Sequence, residues 1–452
     1  MTTPRLQLAL DFVDLHRAVK VAEEAVAGGV DWIEVGTPLL KAEGLKAVRT
    51  LRGRFPELPI VCDAKTMDAG RMELEAAAKA GATVGTVLGV ASDSTIEECV
   101  EAGRNYGIQV LVDLIGHPDP VARARFAEKA GADYVNVHCP IDEQMRGRDP
   151  FDMLRAVAGA VRIPVSVAGG ITAATAPTAV AAGASVVVVG GAITKASDAT
   201  AAARGVKEAM RTGVAGIATT AVRGATDADV RRILTEVSTP NISDAAHRCP
   251  VWSGWIVTAP SKRFAGPAVT VRTIPGDWAK PVEAIDACEE GDVLVVDAGG
   301  TPPAVWGELA TNSAVNRRLA GVVIWGAIRD TPDIRRLGLP VFARRACAQA
   351  GEPKGLGEIG VTLRIQGIDC RPGDWVVGDV DGVVVIPKAR AVDVANRAMS
   401  CLEAENRLRA EILEGQSTLA RVMDLAKWEK KVLSGESDGL ERLPHGAAGE
   451  GR

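Results

Sequence analysis

Short apolar runs alternate with longer amphipathic segments through the first half of the chain. The runs lie at residues 6–10, 32–35, 60–62, 84–88, 110–112, 134–137, 165–168 and 186–189. Between them, segments rich in Ala, Glu, Lys and Arg, such as 18–27, 71–80 and 120–130, have the spacing of helices. This alternation predicts right-handed βαβ units and a parallel sheet. Eight evenly spaced units fit a (β/α)8 barrel better than a doubly wound sheet.

The pattern changes in the second half, where helical segments are fewer and Gly and Pro interrupt the apolar runs. Those runs lie at 268–271, 293–296, 322–325, 341–343, 361–365, 375–377 and 383–386, and a long amphipathic stretch follows at 389–414. We predict a mixed α and β domain closed by a helix. The segment between the halves is rich in Gly, Thr and Ala, which predicts a linker at 213–228 between a barrel at 1–212 and a second domain at 229–415. The composition of the C-terminus predicts a partly disordered extension at 416–452.

Composition narrows the class of protein. The 452 residues carry a net charge of −5, which excludes a generally basic nucleic-acid binder. No apolar run has the length of a membrane helix, and Asp11 and Asp14 stand where a signal peptide would be apolar. The 8 cysteines are scattered without a Cys-x-x-Cys pair, as is typical of reduced thiols. We therefore expect a cytoplasmic protein with neither a membrane nor a nucleic-acid partner.

Charged side chains follow several of the eight runs, at the strand ends where barrels of this type hold their chemistry. Glu34 and Asp63 come from neighbouring strands and can supply hard oxygen ligands to Mg²⁺, with Mn²⁺ as an alternative. Asp63, Lys65 and Asp68 form an alternating charged array of the kind found at proton-transfer sites. His138 follows the sixth run and is either a general base or a structural histidine.

Two Gly-Gly pairs end the seventh and eighth runs, at Gly169-Gly170 and Gly190-Gly191. Loops after strands 7 and 8 are the usual phosphate site of this fold, because backbone N–H groups can approach the anion there. Their positions predict a phosphorylated substrate.

Residues 5–210 resemble 3-hexulose-6-phosphate synthases, which belong to the orotidine-monophosphate-decarboxylase-like barrels. The resemblance is carried by Asp-Trp-Ile-Glu-Val-Gly-Thr-Pro-Leu at 31–39, Asp-Ala-Lys-Thr-Met-Asp-Ala-Gly at 63–70, Val-Asp-Leu at 112–114 and Ala-Gly-Gly-Ile at 168–171. It implies a lyase that condenses formaldehyde with D-ribulose 5-phosphate in a magnesium-dependent aldol reaction. Lys65, Asp68 and His138 would be catalytic, and Asp11 would contact substrate hydroxyls. Because the counterpart of Asp68 reaches the neighbouring subunit's site, a homodimer is also implied.

A related decarboxylase of 3-keto-L-gulonate 6-phosphate is the alternative for the barrel. That enzyme carries an Arg three residues after its His, where this chain has Ile141. Cys139-Pro140 also departs from the synthase pattern, in which a Gly is common after the His. A barrel that has lost activity and serves as a scaffold is a third hypothesis, against which the intact set of charged residues argues.

In the second half, the dipeptide Arg329-Asp330 offers a metal ligand and a cation that can hold a carboxylate. Its surroundings resemble the RraA-like family, which includes 4-hydroxy-4-methyl-2-oxoglutarate aldolases, over about 229–415. The matching stretches include Trp-Gly-Glu at 306–308, Gly-Ala-Ile-Arg-Asp at 326–330 and Asp-Val-Asp-Gly-Val at 379–383.

The RraA-like resemblance implies a swivelling β/β/α domain that assembles as a trimer. Asp330 would bind Mg²⁺, Arg329 would bind a 2-oxo acid, and backbone amides would cradle its carboxylate at Gly307, Glu308, Leu309 and Ala310. Trp325 stands where many relatives have Asp. Since other members of the family bind a ribonuclease without catalysis, this domain is either a lyase or a ribonuclease-binding regulator. With a dimeric barrel and a trimeric second domain, we expect a homo-oligomer.

Overall fold

The structure, a computed structural model, describes residues 3–218, 223–415, 417–423 and 425. Residues 1–403 form one compact unit that contains both halves of the sequence pattern, and residues 404–452 are assigned to a second unit. Most of the C-terminal extension predicted at 416–452 lies outside the described residues. The predicted boundaries at 212, 228 and 415 stay predictions.

The first half is a closed barrel of eight parallel strands. Each strand pairs with its neighbours in chain order, and β8 closes onto β1 with Leu6 opposite Val187 and Leu8 opposite Val189. The strands are β1 (Arg5–Leu10), β2 (Trp32–Val35), β3 (Ile60–Thr66), β4 (Val84–Leu88), β5 (Gln109–Asp113), β6 (Tyr134–His138), β7 (Val165–Ala168) and β8 (Val186–Val189). The predicted barrel is confirmed.

Helices connect successive strands and cover the outside of the barrel. They are α1 (Leu15–Ala27), α2 (Thr37–Glu43), α3 (Lys46–Arg54), α4 (Gly70–Lys79), α5 (Asp93–Tyr106), α6 (Pro120–Ala130), α7 (Ile141–Gln144), α8 (Phe151–Ala158), α9 (Ala176–Ala181), α10 (Gly191–Thr194) and α11 (Ala199–Thr212). Local signals set several helix starts: the side chains of Asp14, Ser92 and Asp119 accept backbone N–H bonds as N-caps. A continuous apolar core lies between the strands and these helices.

Inside the barrel, the period of two along each strand separates an apolar layer from a polar one. The lower layer, which we call the plug, consists of Trp32, Val61, Val84, Leu111, Val186 and Tyr134. Within it, Trp32 and Tyr134 meet edge to face with ring centroids 5.4 Å apart. Two residues further along their strands, Glu34, Asp63, Thr86, Asp113 and Asn136 therefore also point inward, towards the carboxyl ends.

The second half is built on a nine-stranded mixed sheet with a separate two-stranded ribbon. Its strands are β9 (Ile256–Val257), β10 (Phe264–Arg272), β11 (Val293–Asp297), β12 (Ala304–Trp306), β13 (Gly321–Ile328), β14 (Val341–Ala346), β15 (Glu358–Ile359), β16 (Leu363–Ile365), β17 (Ile368–Cys370), β18 (Trp375–Asp379) and β19 (Gly382–Ile386). Strands β10, β11, β13 and β14 run parallel, β18 and β19 join antiparallel at one edge, and β16 with β17 makes the ribbon. The short strands β9, β12, β15 and β17 lie outside the predicted runs, because two or three residues carry no periodicity.

The second half also contains helices, among them the long C-terminal one that the amphipathic stretch predicts. They are α12 (Asp227–Glu236), α13 (Thr239–Ala245), α14 (Ala279–Asp286), α15 (Glu308–Asn316), α16 (Thr331–Leu337), α17 (Ala391–Glu414) and α18 (Leu419–Val422). Residues of α12, α13 and the first part of α17 form one apolar cluster with β18 and β19. None of the helices in the described part of the chain has both the length and the apolar character needed to cross a membrane.

Candidate active site

Thirteen side chains from the strands of the barrel line a pocket above the plug. They are Gln7, Glu34, Val61, Asp63, Lys65, Thr86, Leu111, Asp113, Asn136, His138, Ser166, Ala168 and Val188. Four of the residues singled out in the sequence, Glu34, Asp63, Lys65 and His138, are thus brought together although three separate strands carry them. The pocket opens at the carboxyl ends of the strands, as this fold predicts.

Asp63 is held by three side chains. Thr37, at the start of α2, donates to Asp63 Oδ2 at 2.7 Å, and Thr86 donates to Oδ1 at 2.9 Å. The Lys65 ammonium lies 2.9 Å from Oδ2. These contacts fix the direction of a carboxylate that is almost fully buried.

A second network joins Asp113 to Lys65 and His138. Asp113 Oδ2 lies 3.0 Å from His138 Nδ1 and 3.2 Å from Lys65 Nζ. Burial raises the pKa of Asp113, but the contacts with His138 and Lys65 outweigh it and hold the pKa below its ordinary value. Conversely, the negative charges of Asp113 and Asp63 outweigh burial and raise the pKa of Lys65. The network therefore favours a carboxylate beside an ammonium and fixes the plane of the imidazole.

The backbone around Lys65 departs from a regular strand. Pairing between β3 and β4 shifts register between Cys62 and Thr66, and Lys65 has a φ of 48°. A residue other than glycine rarely adopts this left-handed conformation, which recurs at functional sites. The irregularity lies in the Asp-Ala-Lys segment, which carries the two charged side chains that β3 contributes to the pocket, Asp63 and Lys65.

Three carboxylates converge near the pocket: those of Asp11, Glu34 and Asp63. Burial, followed by repulsion from Asp63 and Asp11, raises the pKa of Glu34 well above its ordinary value. Burial and the charge of Asp63 also raise the pKa of Asp11. Gln7 Nε2 donates to Glu34 Oε2, but the buried Gln7 Oε1 accepts no hydrogen bond within the described residues. The cluster thus holds more acceptors than donors.

This excess of acceptor oxygens fits a hydrated divalent cation. In the described ranges no three His, Cys, Asp or Glu side chains make a closed metal-binding group. Mg²⁺ does not need one, because it commonly binds through one or two carboxylates and keeps its remaining positions for water and substrate. Glu34 and Asp63 suit that mode of binding.

The glycine pairs lie at the rim of the pocket. Gly169 has a φ of 108°, and a Cβ atom added to it would lie 2.4 Å from the carbonyl oxygen of Cys139, so no other residue fits without a shift. A Cβ atom added to Gly190 would lie 3.7 Å from Asp11 Oδ2. This places the loop after β8 directly beside the carboxylate cluster.

Asp68 does not join the network. It is exposed, and its Oδ1 accepts the N–H of Ala69 at 2.7 Å. Its predicted role, a contact with the site of a neighbouring subunit, stays a prediction.

In the second half, the predicted residues come together at the end of β12 and β13. The Glu308 N–H, in the first turn of α15, donates to Asp330 Oδ2 at 3.2 Å, and Arg329 Nε lies 3.6 Å from the same oxygen. A Cβ atom on Gly307 would lie 2.6 Å from that oxygen, so the carboxylate packs against bare backbone. Asp330, Arg329 and Leu309 are exposed.

Trp325 lies away from this group. Its ring packs against Gly300 and Trp255, with Trp ring centroids 5.9 Å apart, and the Arg344 guanidinium carbon lies 5.5 Å from its ring centre. An aromatic contact therefore stands where the resemblance leads one to expect a carboxylate.

Several residues in or beside the pocket carry no obvious signal that marks them as functional in the sequence. Gln7, Thr37, Thr86, Asn136 and Ser166 carry no charge and lie within or beside apolar runs. A polar residue at the inward position of a buried strand is the signal that finds four of them, since Gln7, Thr86, Asn136 and Ser166 share that position. Asp113 lies in the Val-Asp-Leu stretch at 112–114, to which the sequence alone assigns no role.

Comparison with known proteins finds two different families, one for each half of the chain. The model of the orotidine 5'-phosphate decarboxylase / HUMPS family matches residues 4–206, and the RraA-like (Aldolase/RraA) model matches residues 239–385. The 3-hexulose-6-phosphate synthase of Methylomonas aminofaciens is 44% identical over 185 residues, which cover 41% of this chain and 88% of that protein. That of Mycobacterium gastri is 43% identical over 186 residues, 41% of this chain and 89% of that protein.

Among solved structures, the 3-hexulose-6-phosphate synthase from Salmonella typhimurium aligns with 40% identity and a TM-score of 0.45, covering 46% of this chain and 99% of that one. The fold predicted for both halves and the prediction of an enzyme are confirmed. Through its barrel the chain belongs to the 3-hexulose-6-phosphate synthases of the orotidine 5'-phosphate decarboxylase / HUMPS family, and its second half carries an RraA-like domain.

Proposed function

We propose that the barrel catalyses the reversible aldol condensation of formaldehyde with D-ribulose 5-phosphate to D-arabino-3-hexulose 6-phosphate. The observation that carries this proposal is the buried network in which one oxygen of Asp113 contacts both His138 and Lys65. A base beside a fixed cation is what the removal of a proton next to a carbonyl requires. The similarity to 3-hexulose-6-phosphate synthases supports a 3-hexulose 6-phosphate as the product.

In this reaction His138 is the base. Asp113 accepts a hydrogen bond from His138 Nδ1–H, which leaves Nε2 as the basic nitrogen that takes a proton from C1 of the pentulose. The Lys65 ammonium stabilises the negative charge of the resulting enediolate. The C1 carbon then forms a bond to the carbon of formaldehyde, and the proton on Nε2 returns to the new alkoxide oxygen. Atoms and charge balance without a further reactant.

Glu34 and Asp63 are the residues that would hold Mg²⁺, or Mn²⁺ in its place. When bound, such a cation supplies Lewis-acid polarisation of the carbonyl. Asp11, next to Gly190, is placed to contact substrate hydroxyls, while the Gly169-Gly170 and Gly190-Gly191 loops offer backbone N–H groups to the phosphate.

The test is formaldehyde consumption by the full chain with D-ribulose 5-phosphate. We expect EDTA to stop the reaction and either Mg²⁺ or Mn²⁺ to restore it. Asp63→Ala should abolish turnover because it removes a carboxylate from the cluster. Asp152→Ala, at a fully exposed carboxylate on α8, is the matched control and should leave the rate unchanged. Full activity of Asp63→Ala would contradict the proposal.

The same preparation distinguishes the alternative decarboxylase. Release of CO₂ from 3-keto-L-gulonate 6-phosphate, with no consumption of formaldehyde, would replace the synthase by that enzyme. Absence of both activities in a folded chain would favour the scaffold hypothesis. The direction in which the aldol reaction runs depends on metabolite concentrations.

For the second half we propose a metal-dependent lyase acting on a 2-oxo acid. The supporting observation is the contact of Asp330 with the first turn of α15, which places Arg329, Asp330 and the backbone of Gly307 in one group. Mg²⁺-dependent release of pyruvate from oxaloacetate, lost in Asp330→Asn, is the expected result. No release by the folded protein would favour the ribonuclease-binding regulator.

Assembly and location complete the proposal. Dimers through the barrel and trimers through the second half would combine into a hexamer, which light scattering measures directly. We expect this assembly in the cytoplasm, where the scattered thiols stay reduced.

A further inference from the structure

The C-terminal half contacts the barrel on the face that carries the active site. Asn396 Nδ2, on α17, donates to the carbonyl oxygen of Met145 at 2.9 Å, and Arg397 Nη2 lies 2.7 Å from Asp142 Oδ1. Asp142 lies on α7 and Met145 is the C-cap of that helix, in the segment that follows His138. Part of the second half therefore lies against this segment.

A second contact is a cluster of three charged side chains, Lys195, Arg223 and Glu403, which we call the Glu403 cluster. Arg223 binds both oxygens of Glu403, with Nη2 2.6 Å from Oε2 and Nη1 3.4 Å from Oε1. Lys195 Nζ lies 4.0 Å from Oε2. Glu403 is on α17 and Lys195 follows α10, so the cluster joins the C-terminal half to the loop after β8.

The Lys195 side chain lies beside the second glycine pair. A Cβ atom added to Gly191 would lie 3.6–3.8 Å from Cε, Cδ and Nζ of Lys195. On the other side of the pair, a Cβ atom on Gly190 would lie 3.7 Å from Asp11 Oδ2. The glycines thus stand between the carboxylate cluster of the pocket and a partly buried ammonium.

The charges of the Glu403 cluster do not cancel. Among the described charged groups that act on Lys195, one carboxylate faces two cations, and Arg223 makes the shorter contacts with it. Burial lowers the pKa of Lys195; Glu403 partly opposes this and Arg223 adds to it. An anion beside the ammonium would remove the excess positive charge and strengthen the charged form.

We propose that Lys195 binds the phosphate group of the substrate, and that Glu403 is a positioning residue that holds the ammonium when no phosphate is present. The inference rests on the phosphorylated pentulose of the proposed function. It gives the C-terminal half a direct part in the chemistry of the barrel, because the counter-ion of a substrate-binding lysine comes from α17.

The first test compares full-length Lys195→Met with the wild type. The KM for D-ribulose 5-phosphate and the inhibition constant of inorganic phosphate should both rise roughly 10- to 100-fold, as expected for the loss of a charge-assisted contact. The value of kcat should stay within about threefold, because the phosphate group takes no part in the bonds that form and break. Lys79→Met removes an exposed lysine on α4 and is the matched control.

The second test uses Glu403→Gln, which should change the affinity for inorganic phosphate in the opposite direction to Lys195→Met. Glu403→Gln removes the competing carboxylate, so inorganic phosphate should bind more tightly than to the wild type. A merely structural contact predicts weaker binding and a lower Tm instead, and that result would overturn the role of Glu403. Lys195→Arg keeps the charge and should retain phosphate binding even if Lys195→Met is unstable.

Binding of inorganic phosphate, measured by titration calorimetry, separates this inference from the proposed reaction. If the wild type consumes no formaldehyde but Lys195→Met loses phosphate binding, the reaction is wrong and the phosphate site stands. If the wild type is active and folded Lys195→Met binds phosphate and pentulose phosphate normally, the inference is refuted.

Discussion

Replacing Asp113 by Asn tests the network that orients the base. The carboxylate makes two charge-assisted contacts, at 3.0 Å to His138 and 3.2 Å to Lys65. Each such contact contributes about 1.5–3 kcal/mol. Asparagine keeps one neutral acceptor but loses the charge, so we expect a loss of about 3–4 kcal/mol of transition-state stabilisation, or about 10²–10³-fold in kcat.

The assay is the rate of formaldehyde consumption at saturating D-ribulose 5-phosphate, with KM measured in parallel. KM should change little, because Asp113 contacts Lys65 and His138, the side chains proposed to act on the transition state. Asp133→Asn is the control: this aspartate accepts the N–H of Val110 at 2.8 Å at the opposite end of the barrel. A kcat within threefold of the wild type, in an Asp113→Asn protein of unchanged Tm, would refute the reasoning.

Three further predictions concern stability. Gly169→Ala should cost about 2–4 kcal/mol in chemical denaturation, because its Cβ atom meets the Cys139 carbonyl at a φ of 108°; Gly205→Ala, in open space on α11, should instead gain about 0.5–1 kcal/mol. Trp252→Ala should cost about 3–5 kcal/mol, since the side chain is fully buried and the cavity would stay. Asp277→Asn should cost about 1–3 kcal/mol near neutral pH, because the carboxylate accepts N–H bonds from the loop at Lys354, Gly355 and Leu356.

The Asp277 prediction also has a pH dependence. Burial raises the pKa of this carboxyl, but the backbone N–H donors outweigh it and hold the pKa below its ordinary value. The unfolded chain therefore takes up the proton first, at a pKa of about 3.9. The stability that Asp277 provides is complete above that pH and is lost as the pH falls through the lower folded value. The measurement is the difference in unfolding free energy between the wild type and Asp277→Asn, from about pH 2 to about pH 6. A difference that does not change with pH over this range would contradict this reasoning.

The barrel could be predicted because its information is local. Each strand is marked in the sequence by an apolar run, and the strands of a parallel barrel have their carboxyl ends on one face. The sequence pattern alone therefore predicts that Glu34, Asp63 and His138 lie close together. The hydrogen-bond partners of these residues could not be predicted. The pairing of Asp63 with Thr37 and Thr86 depends on inward positions that an apolar run conceals.

The contact between the halves could not be predicted, for a physical reason. Lys195 and Glu403 are roughly 200 residues apart in sequence. Neither lies in a pattern that marks a partner. An isolated lysine after a glycine pair has the composition of a solvated loop. Only the folded chain shows that α17 brings a carboxylate to it.

The plug has a kinetic consequence. Trp32, Tyr134 and their neighbours fill the lower end of the barrel, so the pocket can be reached only from the carboxyl ends of the strands within the part of the chain that the structure describes. In the proposed reaction both substrates would therefore enter, and the product would leave, by one shared route. A sugar phosphate bound at the glycine loops would then stand between formaldehyde and bulk water, and slow product release would delay the next turnover.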